Sequence, residues 1–366
     1  MRLTIYRAIE EDPFYSVHVY ANNLVRVLTG RVDLTDVVFS RKQHGIMFAD
    51  RVDGPLNRYV LYPRYAISRQ GDVNHVLDHA YGHFGFVLRA SRTVMSCNSM
   101  SIPKVMTGEI PSFPVPGSLA MTMRVRHAGM LRCARIVACS HALKADIVRM
   151  LGCDAARVSV VYDGLDHALF RPIDDEDALN ECIRTYQLPE DDTKVLLVVA
   201  TKAAYKNRLA TLKVLDALIR RGLKVVALMV GGPLNEDELA YIDTNRIAPY
   251  VKYLGHVPER HLPVIYNLAD AFLFPSWDEG FGYPPLEAMA CGTPTVVSSI
   301  PVLMETTSGA ALSAGPDDIA GLTDQVQLAM CDSTVRVRLQ REGLARAQTY
   351  SWERYAQEIM EVYDSL

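Results

Sequence analysis

At 366 residues the chain is long enough for two domains with full cores. Its 49% hydrophobic and 22% charged residues mark a globular protein and exclude a disordered or fibrous one; no apolar run reaches the roughly 20 residues of a membrane-spanning helix. The net charge of −4 is unevenly spread: 21 Lys and Arg face 14 Asp and Glu through residue 171, giving +7, and 17 face 28 beyond it, giving −11.

The first half alternates strand-like and helix-like segments. Residues 2–8 read as a strand, without the long apolar centre of a signal peptide. A polar loop, 10–16, leads to a helix from Val17 to Leu28 with Val17, Leu24, Val25 and Leu28 on one face. Further strands are expected at 73–77, 93–97, 135–140 and 158–162, and helices at 59–69, 121–132 and 141–151. The segment Met100 to Gly117 carries four prolines and two glycines and reads as a loop. Arg124, Arg126, Arg132 and Arg135 lie close together in the basic half, which is expected to meet an anionic partner. The seven cysteines contain no C-x-x-C pair and read as reduced thiols of a cytoplasmic protein.

At Phe170-Arg171-Pro172 the pattern breaks, and the acidic run Asp174 to Asp177 reads as solvated linker. The expected division is a first domain of 1–171 plus 352–366, a linker of 172–193 and a second domain of 194–351. Alternation restarts with the apolar strand 194–199, followed by strands at 225–230, 250–254 and 271–274. Strands alternating with helices imply two mainly parallel, doubly wound α/β sheets. The last segment, from Ser351, is an amphipathic helix with Trp352, Tyr355, Ile359 and Val362 on its apolar side.

Ligands of open α/β sheets sit at the carboxyl ends of the strands, and three loops there carry suitable groups. Thr201 to Asn207 offers a hydroxyl and two lysines, Lys202 and Lys206. Gly231-Gly232-Pro233 permits close backbone approach. The third, Ser276 to Gly282, leads into a helix at 284–290 whose start is suited to phosphate. Glu279 and Glu287 flank that start. Carboxylates repel phosphate, so both suit sugar hydroxyls, and the set as a whole suits a diphosphate attached to a sugar.

These residues resemble the family-four retaining glycosyltransferases of GT-B fold (glycosyl transferases group 1), most closely from about residue 195 to 299. The resemblance is carried by Lys206-Asn207, by Tyr253-Leu254-Gly255-His256-Val257, and by Glu279-Gly280-Phe281-Gly282 through Glu287-Ala288-Met289-Ala290-Cys291-Gly292-Thr293-Pro294. In the first half, Ile136 to Ser140 and Tyr162 to Asp166 are similar to family segments. The resemblance implies two Rossmann-like domains facing a cleft and a nucleotide sugar held mainly by the second. It implies Lys206 on the diphosphate, with Thr201 and Lys202 assisting. Glu279 falls to the donor sugar, Gly280, Phe281 and Gly282 to sugar and phosphate, Glu287 to the ribose hydroxyls, and Gly231 and Val257 to the donor site. No metal and no cofactor is implied beyond the donor substrate, a nucleotide diphosphate sugar such as GDP-mannose or a UDP-hexose.

The first half departs from the family pattern. Pro13-Phe14-Tyr15-Ser16 replaces a glycine-rich loop, and Asn98 stands where relatives carry a histidine. Asn98 can donate a hydrogen bond to the donor sugar but cannot shuttle a proton. His75, His79 and His83 offer substitutes, of which His79 is the expected cleft residue. The function that follows is transfer of a hexose, mannose by first choice, to a saccharide or lipid-linked acceptor, by a cytoplasmic enzyme in peripheral contact with the inner membrane face through its basic domain. Nucleic acid is not an expected partner. Alternatives are a UDP-hexose transferase with another acceptor and a non-catalytic nucleotide-sugar-binding subunit. An epimerase needs further cleft carboxylates and a phosphorylase a pyridoxal lysine, and neither is visible. A dinucleotide oxidoreductase lacks its G-x-G-x-x-G after a strand.

Overall fold

Twelve strands, all paired in parallel, form two separate six-stranded sheets in the computed structural model, which describes residues 1–12, 15–44, 54–111, 115–189 and 191–366. Met1–Met106, Pro114–Gly164 and Trp352–Leu366 make one compact unit, and Thr107–Phe113 with Leu165–Ser351 make the other. Each sheet alternates strand and helix along the chain, as expected for Rossmann-like α/β units.

The first sheet comprises β1 (Arg2–Tyr6), β2 (Asp33–Val37), β3 (Val73–Val76), β4 (Thr93–Cys97), β5 (Arg135–Ala138) and β6 (Val158–Val160), in the order β2-β1-β3-β4-β5-β6. Strand β1 pairs with β2 on one side and with β3 on the other, Leu3 lying opposite Leu34 and Val73. The chain therefore reverses its winding between β1 and β3. Helix Tyr15–Leu28 lays Tyr20, Ala21, Leu24, Val27 and Leu28 on the core strands. Helix His141–Leu151 is capped at both ends: Ser140 Oγ accepts from Leu143 N at 3.1 Å, and Gly152 closes it at φ 64°. The final helix, Trp352–Asp364, returns to this unit and buries Trp352, Tyr355, Ala356, Ile359, Val362 and Tyr363 in the same core. Their spacing is the apolar stripe read from sequence, with Ala356 and Tyr363 added.

The second sheet comprises β7 (Lys194–Ala200), β8 (Val225–Gly231), β9 (Val251–Gly255), β10 (Ala271–Phe274), β11 (Thr295–Ser298) and β12 (Leu312–Ala314), in the order β12-β11-β10-β7-β8-β9. Winding proceeds from β7 through β8 to β9, then crosses back to β10 on the other side of β7. The residues of β10 are all fully buried, consistent with a central parallel strand read as an unbroken apolar run.

Three local readings need correction. Met100 to Gly117 is not all loop: Ser101–Thr107 is a helix. Pro103 sits in its first turn, where a missing N–H breaks no intrahelical bond. The 172–193 stretch contains a helix, Glu176–Tyr186, started by Asp175, whose carboxylate accepts from the Asp177 and Ala178 amides at 3.1 Å. The acidic run is exposed, as a solvated segment should be, yet part of it is a helix start, where negative charge is favoured. Strands β2 and β12 were not anticipated because both are half-buried sheet edges without an apolar run. Pro13 and Phe14, in the segment that replaces the glycine-rich loop, lie outside the described residues.

Candidate active site

The winding reverses between β7 and β10, and the carboxyl ends of strands at such a switch point are where open α/β sheets bind ligands. The loop after β7 supplies Lys206 and the loop after β10 supplies Glu279. The lysine Nζ donates to both carboxylate oxygens, at 2.7 and 2.9 Å. Their side chains are 13% and 9% exposed, so the pair is sheltered from water yet reachable. Nζ also lies 5.1 and 5.2 Å from the ring centroids of Phe274 and Tyr205, within cation–π range. Burial opposes the lysine's charge, but Glu279, Tyr205 and Asp278 outweigh it and hold its pKa above the usual lysine range.

The lysine is aimed by its successor. Asn207 adopts the left-handed conformation at φ 50°, and its Nδ2 donates to the carbonyls of Pro275 and Pro316 at 3.0 and 2.9 Å. Trp277 N donates to Tyr205 O at 2.8 Å, joining the two loops directly. Arg208 then donates to Gly232 O at 2.7 Å and pairs with Glu238 at 3.0 Å, both side chains buried. Glu238 also closes a capping box with Asn235. One buried arginine thus fixes the Gly231-Gly232 loop against the helix that follows Lys206. A side chain at Gly231, where φ is 116°, would place its Cβ 2.2 Å from Ala200 O. Only glycine allows the β7 and β8 ends to approach so closely.

Helix Tyr283–Ala290 starts at Gly282, in the left-handed region at φ 91°. A Cβ there would come within 2.7 Å of Leu303 Cδ2. Pro284 and Pro285 fill the first turn, so two amides that a helix start ordinarily offers are missing. Phe281 is buried, packed edge-on against Tyr283 and Tyr350 at 5.2 and 5.4 Å. Glu287, one turn into the helix, accepts from Tyr266 Oη at 2.8 Å. Burial raises its pKa to about 7, with the tyrosine hydrogen bond pulling the other way.

Thr201 and Lys202 are exposed on the loop after β7, with Thr201 Oγ1 accepting from Ala203 N at 3.4 Å. Val257 lies past β9, two strands removed from β7. In the first unit, His79 and Asn98 meet at the carboxyl ends of β3 and β4. Asn98 N lies 3.4 Å from His79 Nδ1, which is 3.2 Å from Asp78 Oδ1, and Asn98 Nδ2 donates to Leu77 O. The other two histidines are structural. His75 is fully buried between Tyr363 Oη at 2.6 Å and Ser96 Oγ at 2.8 Å, and burial pushes its pKa down to about 3. His83 is held by Arg58 O at 2.9 Å and lowered by burial to about 4. Sequence reasoning missed Tyr266, Asn207 and Arg208 as supports of the site. The Asn235-x-x-Glu238 capping signature was legible; the tyrosine had no local signal.

Residues 181–346 match the family described as glycosyl transferases group 1. Among curated proteins the chain is similar to O-antigen chain mannosyltransferase B of Escherichia coli, 38% identical over 117 residues, 32% of this chain and 31% of that one. It is also similar to D-inositol 3-phosphate glycosyltransferase of Salinispora tropica, 29% identical over 254 residues, 63% of this chain and 50% of that one. The aligned part thus spans a third to a half of the length of these relatives. Among solved structures, Anabaena Alr3699/HepE in complex with UDP and glucose superposes over 100% of this chain and 99% of that one, with a TM-score of 0.77 at 16% identity. WaaG, a glycosyltransferase involved in lipopolysaccharide biosynthesis, does so over 99% of each chain with a TM-score of 0.73 at 12% identity. The chain therefore has the GT-B fold, and its residues 181–346 are similar to the glycosyl transferases group 1 family.

Proposed function

We propose that the protein is a retaining hexosyltransferase that moves a sugar, mannose by first choice, from a nucleotide diphosphate donor to a hydroxyl of a saccharide or lipid-linked acceptor. The observation that carries this is the meeting of Lys206 and Glu279 at the β7/β10 switch point, with Glu287 in the adjoining helix. The mannosyltransferase relative favours mannose; the UDP-bound structural neighbour favours a UDP-hexose as the second choice.

In this reaction the bond from the sugar's anomeric carbon to the diphosphate breaks while a bond to the acceptor oxygen forms on the same face. The acceptor's proton passes to the departing phosphate oxygen, and a nucleoside diphosphate leaves. Negative charge grows on the diphosphate, and Lys206 is the cation placed to answer it, with the amides of the Gly280–Gly282 loop. Glu279 holds that lysine; donor sugar hydroxyls then take over part of its carboxylate. Glu287, steadied by Tyr266, accepts from the ribose hydroxyls. Thr201, Lys202, Gly231 and Val257 complete the donor side, and His79 with Asn98 contact the sugar. This scheme uses no metal, so turnover should persist in a chelator.

Lys206→Ala and Glu287→Ala should each lower kcat/KM for the donor by at least about a hundredfold, the scale of a lost charged contact in a sheltered site. Unchanged turnover in both variants would sink the assignment. Peripheral membrane contact belongs to the same proposal. Among the described residues no helix is long and apolar enough to cross a membrane. Helix Gly117–Met130 exposes Met121 and Val125 beside Arg124, and exposed Phe86 lies 5.5 Å beneath Arg132. Binding to anionic vesicles should weaken with salt and with Arg124→Glu; indifference to both removes the membrane from the scheme.

A further inference from the structure

The Lys206–Glu279 pair joins the two groups that the transferase reading gives to different parts of one donor, the ammonium to its diphosphate and the carboxylate to its sugar. An ammonium has three protons to donate. Two of those on Lys206 lie on the carboxylate, one on each oxygen. Among the described residues, Glu279 accepts from no other donor. Glu287 differs in this respect, because Tyr266 Oη supports it from within the fold.

The pair cannot easily part. Trp277 N donates to Tyr205 O, and Asn207 Nδ2 to Pro275 O, so the backbones on either side of both residues are tied together. Glu279 is 9% exposed, and water does little for its charge. Drawing the lysine away therefore leaves a sheltered carboxylate without a partner, which is costly unless another donor replaces the ammonium.

A nucleotide sugar and a nucleoside diphosphate differ at this point. The first ends in a ring of hydroxyls, each able to donate to the carboxylate. The second ends in a terminal phosphate, which brings further negative charge and no such donors. To reach Lys206 it must either strip the ammonium from Glu279 or settle beside the carboxylate. The one leaves a charge unpaired and the other sets like charges together, so both weaken binding.

We propose that Glu279 is the residue by which the site tells the nucleotide sugar from the nucleoside diphosphate it becomes. It holds the donor through the sugar hydroxyls, and once the sugar has gone it reclaims Lys206 and so drives the product out. The inference rests on the transferase reading and adds to it a selection between substrate and product.

The test titrates the full chain by calorimetry with GDP-mannose and GDP, and with UDP-glucose and UDP, to give the ratio of product to donor dissociation constants. Wild type should bind the nucleotide sugar more tightly than the matching diphosphate; the reverse order overturns the proposal whatever the variants do. Glu279→Gln keeps the shape and removes the charge. It should lower the ratio about tenfold or more, chiefly by tightening the diphosphate. Glu279→Ala should lower it as well, and circular dichroism melting shows that each variant titrated is folded. Glu287→Gln acts at the ribose, which both ligands carry, so it should change the two affinities together and leave the ratio as it is. A ratio that folded Glu279 variants do not lower, or that Glu287→Gln lowers equally, overturns the proposal and leaves the transferase standing. A wild type that binds none of the four nucleotides overturns the transferase reading and this inference with it.

Discussion

Glu287 shows how one buried carboxylate links the site to pH. With its pKa raised to about 7, the folded protein keeps a proton that the unfolded chain releases above its ordinary value of 4.5. The native state binds the extra proton in that window, so folding should weaken as pH rises from about 4.5 to 7, by up to ~3 kcal/mol, and Glu287→Gln should flatten the profile. In the proposed role at the ribose the ionised carboxylate is the stronger acceptor of hydroxyl hydrogen bonds, so nucleotide affinity should rise through pH 7 in the wild type more than in the glutamine variant. Calorimetric titration at pH 6 and pH 8 checks this; equal slopes in both proteins would refute it. The position of Glu287 was readable from its motif. Its titration was not, because Tyr266 lies 21 residues earlier and reaches it only in the fold.

At the scale of elements, the loops after β7 and β10 are tied by Asn207. A glycine there keeps the left-handed backbone and loses two buried hydrogen bonds; an alanine loses the bonds and strains the backbone as well. Asn207→Gly should cost about 1–2 kcal/mol and Asn207→Ala roughly 1 kcal/mol more, read from urea unfolding. Equal losses would show that conformation plays no part. Central strands were legible because burial on both faces demands an apolar run, as in Ala271-Phe272-Leu273-Phe274. Edge strands such as Leu312–Ala314 were not, since half-burial permits a mixed sequence. The Ser101–Thr107 helix was hidden by a proline that its first turn tolerates.

At the scale of the molecule, the last helix completes the core of the first unit. Trp352, Tyr355, Ile359 and Tyr363 are each no more than 2% exposed in its core. At about 1.5–3 kcal/mol for each large apolar side chain, their loss approaches the ~5–15 kcal/mol that holds a domain together. A chain ending at Ser351 should lose the first unit's cooperative melting transition, while the second unit keeps its thermal shift with a nucleoside diphosphate. A normal first-unit transition would show that the helix is not part of that core's stability.

The sequence by itself determined the alternation of strand and helix, hence two parallel sheets, and it placed the Glu279 to Glu287 stretch at a strand end. Those are properties of neighbours along the chain: periodicity, a run of apolar residues, a helix start. Tertiary structure alone decided that Lys206 reaches Glu279 across 73 residues, and that His79 meets Asn98 while His75 and His83 are locked into the fold. It also brought Arg41 and Arg58 onto Asp12. Each of these depends on strand order, because a parallel sheet brings together loops that are distant in sequence at one edge of the strands, and no local pattern records which loops those are.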